Sequence, residues 1–184
     1  MRKLIYAINL TLDGCCDHTK MVPDEDVFGY YIRLVRDADL FVYGRKTYQL
    51  MVPYWPDIAR NPSGEKKSDV EFAQAFDSKN KVVFSRSLES ADEKSRIVRT
   101  NLKDEILKLK QEPGNYILTG GVSIPAQLIE LALVDEFCVL VVPILAGEGR
   151  RLFEGVSLQE KLRLKLVESK TYKSGSVLLH YVKP

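Results

Sequence analysis

Residues 116–153, YILTGGVSIPAQLIELALVDEFCVLVVPILAGEGRRLF, decide how the rest of the chain is read. The apolar run 116–119 reads as a strand feeding Gly120 and Gly121, and a helix starts almost at once. Ser123 can cap that helix through its hydroxyl. Pro125 is tolerated in the first turn, where backbone donors have no intrahelical partner. Leu128, Leu131 and Ala132 share a face that can pack on a sheet. Residues 136–142 are nearly all apolar, as in a strand covered on both sides. Two readings of the paired glycines stay open. One is a tight turn needing positive φ. The other is an anion seat, where glycines let a ligand approach the backbone and free N–H groups with the helix dipole favour phosphate.

Upstream, residues 4–10 form a buried strand closed by Asp13-Gly14, a turn signal. Pro23-Asp24-Glu25-Asp26 opens a helix with acids at its positive end. Val27, Tyr30, Tyr31, Leu34 and Val35 make its apolar stripe. Residues 40–43 are a short buried strand that meets Gly44-Arg45-Lys46-Thr47 and a short helical segment toward Met51. Pro53, Pro56 and Pro62 then predict a long loop over 52–68, holding Tyr54 and Trp55. A helix over 70–76, a strand over 81–84, a minor strand at 97–98 and an Asn101-capped helix stopped by Pro113-Gly114 follow. Downstream, Leu162, Leu164 and Leu166 alternate with charged residues, Ser174-Gly175 turns the chain, and 177–182 completes an antiparallel hairpin. Strand and helix alternate first and strands close the chain. The expected fold class is therefore α/β: three layers around a mixed, mainly parallel sheet with an antiparallel C-terminal hairpin.

The 184 residues are expected to form one domain over 1–184, with 45% hydrophobic and 28% charged residues, as in an ordinary globular protein. A net charge of +2 without a basic stripe gives no reason to expect a nucleic-acid partner, and none is expected. No apolar run approaches the roughly 18 residues that span a bilayer. Met1-Arg2-Lys3 and the following LIYAINLTL do not lead into a cleavage-like segment, so the expectation is a cytoplasmic protein without a membrane partner. Cys15, Cys16 and Cys138 make no disulfide framework, and His18 beside them does not complete a set of four metal ligands. They read as two loop thiols and one buried thiol.

Three strand ends carry related chemistry: Gly44-Arg45-Lys46-Thr47, Ser85-Arg86-Ser87, and Thr119-Gly120-Gly121-Val122-Ser123. Ligands of open α/β sheets bind beyond the carboxyl ends of strands. A pyrophosphate with an additional phosphate would use all three, through backbone donors, guanidinium groups and hydroxyls. On this reading the glycines serve ligand approach, so a larger residue at Gly121 should cost binding before it costs folding. Catalytic acids are fewer. Asp13 is either a turn residue or an acid beside the ligand, and Asp26 either a helix-dipole acid or a substrate-side carboxylate. His180, alternating within the last strand, reads as structural. Weak protein acids suit a reaction whose hard step belongs to a bound cofactor.

The ordered set LDG, YGRKTY, FSRSL, LTGG and LVDEFCVLVVPILAGEGRRLF resembles the dihydrofolate reductase-like superfamily over nearly the whole chain. Within it, the set is most similar to the reductase domain of the bacterial riboflavin-biosynthesis deaminase-reductase. The resemblance implies a dihydrofolate reductase-like α/β/α fold with an eight- or nine-stranded mixed sheet, NADPH as hydride donor, and a homodimer. It places the phosphates on Gly44, Arg45, Lys46 and Thr47 and on Thr119, Gly120, Gly121, Val122, Ser123 and Ile124. It gives the adenosine 2′-phosphate to Ser85 and Arg86, and lays the nicotinamide along Ala7 and the turn of Leu12, Asp13 and Gly14. Asp26 is the nearest counterpart of the acid that dihydrofolate reductases carry on their first helix, but their Trp-containing segment before that helix is absent. So is any H-x-E with P-C-x-x-C zinc motif of a deaminase half. The expected function is NADPH-dependent hydride transfer to a small heterocycle such as a ribosylamino-pyrimidine. A dihydrofolate reductase proper and a non-catalytic nucleotide-binding module are the alternatives.

Overall fold

The computed structural model describes residues 1–21, 25–154, 158 and 161–184. In chain order the elements are β1 (Lys3–Thr11), α1 (Glu25–Asp37), β2 (Leu40–Gly44), α2 (Arg45–Arg60), α3 (Lys67–Asp77), β3 (Asn80–Phe84) and β4 (Ser95–Val98). They continue with α4 (Leu102–Gln111), β5 (Tyr116–Thr119), α5 (Ser123–Glu130), β6 (Glu136–Val142), β7 (Lys165–Thr171) and β8 (Val177–Val182). The strands make one eight-stranded sheet in the order β4-β3-β2-β5-β1-β6-β8-β7. All pairings from β4 to β6 are parallel, while β8 pairs antiparallel with β6 and β7. This is the three-layer arrangement expected from the sequence, with its antiparallel hairpin at the end.

Strand periodicity divides the core in two. Leu4, Tyr6 and Ile8 of β1 pack with Ile106 and Leu109 of α4 and with Leu128 and Ile129 of α5. Ile5 faces the other way, into a layer built from Ile32 and Val35 of α1, Tyr48 and Val52 of α2, and Phe72 and Phe76 of α3. A smaller cluster joins Val27 to Leu140, Val142, Tyr172 and Leu178 and covers the antiparallel side. Cys138 is buried as expected, but Cys15 is buried too rather than a free loop thiol.

The predicted loop over 52–68 is a correction. α2 runs through both Pro53 and Pro56 to Arg60, so only 61–66 is irregular. Each proline removes one intrahelical donor, yet Tyr48, Val52 and Pro56 recur one helical turn apart and are all buried. Trp55 adds a ring 4.5 Å from that of Phe72. Packing against α3 holds the helix where local propensity argues against it. The end of α5 also differs from expectation. The helix stops at Glu130, Leu131 is exposed, and Ala132 turns to φ +55°, so the buried face is Pro125, Ala126, Leu128 and Ile129. Asn101 caps α4 as read, accepting from the N–H groups of Lys103 and Asp104. The proposed start of α1 at Pro23 and Asp24 lies outside the described residues.

His180 is structural, as expected. Its Nε2 lies 2.9 Å from Glu136 Oε2, and Lys3 Nζ donates to Glu136 Oε1 at 2.6 Å. Burial pushes the Glu136 carboxyl upward, but its bonds and charge contacts with Lys3 and His180 outweigh this and hold it below its ordinary value. A carboxyl held low stabilises the fold fully above the unfolded value near 4.5 and loses that contribution as pH falls through the folded value. Glu136→Gln is therefore expected to lower stability by about 1 kcal/mol at neutral pH. In denaturant titrations the difference from the parent should vanish in acid.

Candidate nucleotide-cofactor site

The carboxyl ends of β2 and β5 lie side by side, and their two turns interlock. Thr119 donates its buried hydroxyl to Val42 O at 2.8 Å, and Tyr6 donates to Gly121 O at 2.9 Å. A Cβ on Gly44 would stand 2.9 Å from Ile124 Cγ1, so the absence of one lets α5 approach α2. Gly121 has φ +81°, and a Cβ there would overlap the Thr47 hydroxyl. The side chain missing from Gly121 is therefore required by Thr47, and a larger residue there costs folding as well as any ligand. Gly120 is different: a Cβ would meet Ala7 O at 3.5 Å and Tyr43 Cε1 at 3.7 Å, ordinary contact distances. The result is two helix N-termini, Arg45-Lys46-Thr47 and Ser123-Ile124, presented together at one crest. Ser123 is not the cap that the sequence suggested. Val122 occupies that position without a side-chain bond, and the Ser123 hydroxyl accepts instead from Arg150 Nη2 at 3.2 Å.

Ile124 also lines a cavity of about 470 Å³ that opens at the ends of β3 and β4. Ser85, Arg86, Arg99, Asn101 and Lys103 line it together with Gln127 of α5. The Ser85 hydroxyl accepts from Leu88 N at 2.9 Å and Ser87 N at 3.2 Å, which shapes the turn. Arg99 braces the same turn by donating to Leu88 O at 2.6 Å. Arg86, Arg45 and Lys46 are exposed, and Arg45 reaches only Gln49 Oε1 at 3.3 Å. The sequence reading missed Arg99 and Lys103. Their signal was present, because Arg99-Thr100-Asn101 also joins a strand end to a capped helix. A cavity lined by three cations and by Ile124, the residue that abuts Gly44 at the start of α2, could take an anion beside the two helix N-termini.

The turn of Leu12, Asp13 and Gly14 is held from outside. Asp13 accepts from Ala146 N at 3.1 Å and Gly147 N at 3.0 Å, and from the Thr11 hydroxyl at 2.5 Å. Arg151 donates to Asp13 O at 2.7 Å, Cys16 N donates to Arg150 O at 2.8 Å, and Leu12 N donates to Ile144 O at 2.8 Å. Thus segments 12–20 and 144–152 are clasped. The Thr11 hydroxyl and the two backbone N–H groups hold the Asp13 carboxyl at about 2, so near neutrality it is an anion with its lone pairs engaged. Asp26 sits on the exposed first turn of α1. Ala7 is half-buried on β1, beside Gly120. Among the described residues, no cluster of His, Cys, Asp or Glu is arranged to hold a metal ion, and no helix is long and apolar enough to cross a membrane.

Comparison with known proteins agrees with this fold. The model of the RibD C-terminal domain family matches residues 2–178. The uncharacterised protein YyaP of Bacillus subtilis (strain 168) is 33% identical over 98% of this chain and 94% of its own length. A crystal structure from Shewanella sp. PV-4, provisionally assigned to riboflavin biosynthesis, superposes with TM-score 0.72 at 21% identity over 99% of both chains. A Thermotoga maritima diaminohydroxyphosphoribosylaminopyrimidine deaminase/5-amino-6-(5-phosphoribosylamino)uracil reductase superposes with TM-score 0.69 at 15% identity. It spans 100% of this chain but only 57% of that longer one. At these identities the two structures establish a shared fold.

Two measurements test the site's construction. Gly121→Ala should destabilise by about 2 kcal/mol through positive φ and the Thr47 overlap. Adding Thr47→Ala should recover part of that loss, whereas strict additivity would show that the turns do not interlock. Asp13→Ala should speed amide exchange at Ala146 and Gly147. In the parent this protection holds above the usual carboxylate value of 3.8 and fades as pH falls through about 2.

Proposed function

The chain belongs to the RibD C-terminal domain family, a family of reductase domains, and from that premise we propose an NADPH-dependent reductase acting on a small heterocycle, with an aminopyrimidine as the favoured class. One observation carries the cofactor assignment: Ile124, which abuts Gly44 where α2 begins, also lines the cation-edged cavity, so the cavity and the paired N-termini of α2 and α5 share a residue. Thr47, Gly120, Gly121, Val122, Ser123 and Ile124 offer backbone and hydroxyl donors to a pyrophosphate, and Arg45 and Lys46 add charge. Gly44 and Thr119 act by keeping the two turns together. Ser85 and Arg86, with Lys103, hold the adenosine 2′-phosphate. Ala7 and the clasped turn from Leu12 to Gly14 flank the nicotinamide. NADPH held there would supply a hydride to the carbon of a C=N or C=O bond, with a proton from solvent or protein completing the nitrogen or oxygen.

The protein's remaining task is to orient the acceptor and manage that proton. Asp13, held anionic near neutrality by its three donors, anchors the turn rather than donating the proton. Asp26, exposed on the first turn of α1, is our candidate for the substrate-side carboxylate. The Thermotoga maritima relative's uracil reductase activity supports the pyrimidine class, and the match to a little over half of that chain accords with the absence of a deaminase zinc motif here. The homodimer is also our proposal. Every residue of β7 is exposed, including Leu166 and Val167 at 48% and 49%, and the strand leaves an open sheet edge for a second copy. Light scattering at micromolar concentration should report twice the chain mass.

Cofactor choice is the sharpest test. A charge-assisted hydrogen bond contributes roughly 1.5–3 kcal/mol, so Arg86→Ala should weaken NADPH about tenfold or more and leave NADH nearly unchanged. Equal losses for the two cofactors would move Arg86 elsewhere, and an NADH preference in the parent would overturn the assignment. Consumption of NADPH with an aminopyrimidine separates a reductase from a module that only binds nucleotide.

A further inference from the structure

β5 leaves the sheet after Thr119, which is paired with Tyr6, whereas β1 continues to Thr11 with only β6 beside it. From Ala7 onward, one edge of β1 therefore borders a gap, with Gly120 near Ala7 O and Tyr43 across it. Along the α1 side of this strand, burial falls from Ile5 at 6% to half-buried Ala7 and Asn9. Asn9 is an anomaly there, since asparagine is disfavoured in strands and its neighbours are apolar. Its Oδ1 accepts from the Tyr31 hydroxyl of α1. That phenol is driven upward by burial and remains a donor at physiological pH. With the carboxamide oxygen occupied, the Nδ2 donors are left over. They have no protein partner among the described residues and are not enclosed. An apolar pair at these two positions would serve the fold about equally well, so stability does not explain the Asn–Tyr pair.

We propose that Asn9 is the substrate-reading residue: its amide N–H groups, oriented by Tyr31, donate to a ring carbonyl of a planar pyrimidine-type acceptor. The proposal deepens the reductase reading and rests on it. Two residues along a strand span about 6.5 Å, so an acceptor ring stacked on a nicotinamide at Ala7 brings its edge to Asn9. On the same side of the sheet, Phe28, one turn before Tyr31, and Trp55 stand 6.2 Å apart, both against Phe72. Asn9 is the specificity residue and Tyr31 its positioning partner. A site built to hydrogen-bond a carbonyl leaves its donors unpaired when the ligand lacks one.

The test is calorimetric titration in the presence of NADP⁺, which binds without turnover. The probes are a diaminouracil and the diaminopyrimidine that lacks both carbonyls. The parent should prefer the diaminouracil by about tenfold. Asn9→Asp, equal in shape but offering acceptors, should erase that preference and leave NADP⁺ affinity within about threefold. Tyr31→Phe, which frees the carboxamide to rotate, should reduce the preference part-way. A preference that survives Asn9→Asp, or a parent that binds NADP⁺ but shows none, overturns the proposal. A parent that fails to bind NADP⁺ overturns the cofactor assignment instead, and the same titrations without cofactor then still read Asn9.

Discussion

The site depends on one steric constraint, the closeness of two turns that lie far apart in the sequence. β2 and β5 are neighbours in the sheet, but each must hand over to a helix on a different face. Both handovers happen within a few ångströms. The turns fit because Gly44 lacks the atom that would strike Ile124 and Gly121 lacks the one that would strike Thr47. Hydroxyls then pin the arrangement, Thr119 to Val42 O and Tyr6 to Gly121 O. Helix-terminal donors are common in α/β proteins. What distinguishes the proposed cofactor seat is that two sets are locked at a fixed separation beside a cationic cavity.

Much of this was legible before any coordinates. Strands at 4–10, 116–119 and 136–142 are apolar runs bounded by turn residues, and short buried strands leave the pattern little freedom. Gly44-Arg45-Lys46-Thr47 and Gly120-Gly121 stood out because small and cationic residues followed such runs. The failures share a cause as well. Local chemistry argued for a loop at Pro53 and Pro56 and for a cap at Ser123, and long-range contacts overrode both. Trp55 against Phe72 holds one helix together, and Arg150, far along the chain, takes the Ser123 hydroxyl. The Gly121 reading failed at a finer level. Sequence identifies a residue without Cβ, but only three dimensions identify what fills the space.

Asp13 shows how placement reassigns a residue's chemistry. An acid after the first strand looks like a proton donor as long as its surroundings are unknown. Surrounded by Thr11, Ala146 and Gly147, the same carboxylate becomes the joint between two loops, and its strong hydrogen bonds remove the proton it would need to donate. Loop closure and acid catalysis make opposite demands on one carboxyl group.

β1 precedes the other strands of this domain and lies inside the sheet. Its neighbours, β5 and β6, lie more than a hundred residues further along, at Tyr116–Thr119 and Glu136–Val142. A nascent chain on the ribosome therefore carries an interior strand with both edges unpaired until β5 and β6 have emerged. Its helices α1 to α3 can gather against β2 and β3 in the meantime, but the two halves of the sheet cannot close across β1. Assembly is tied to the arrival of the C-terminal half, which also brings the second glycine turn and the clasp for Asp13. Fold and proposed cofactor seat therefore mature in the same late step, so a chain truncated before β5 would present neither.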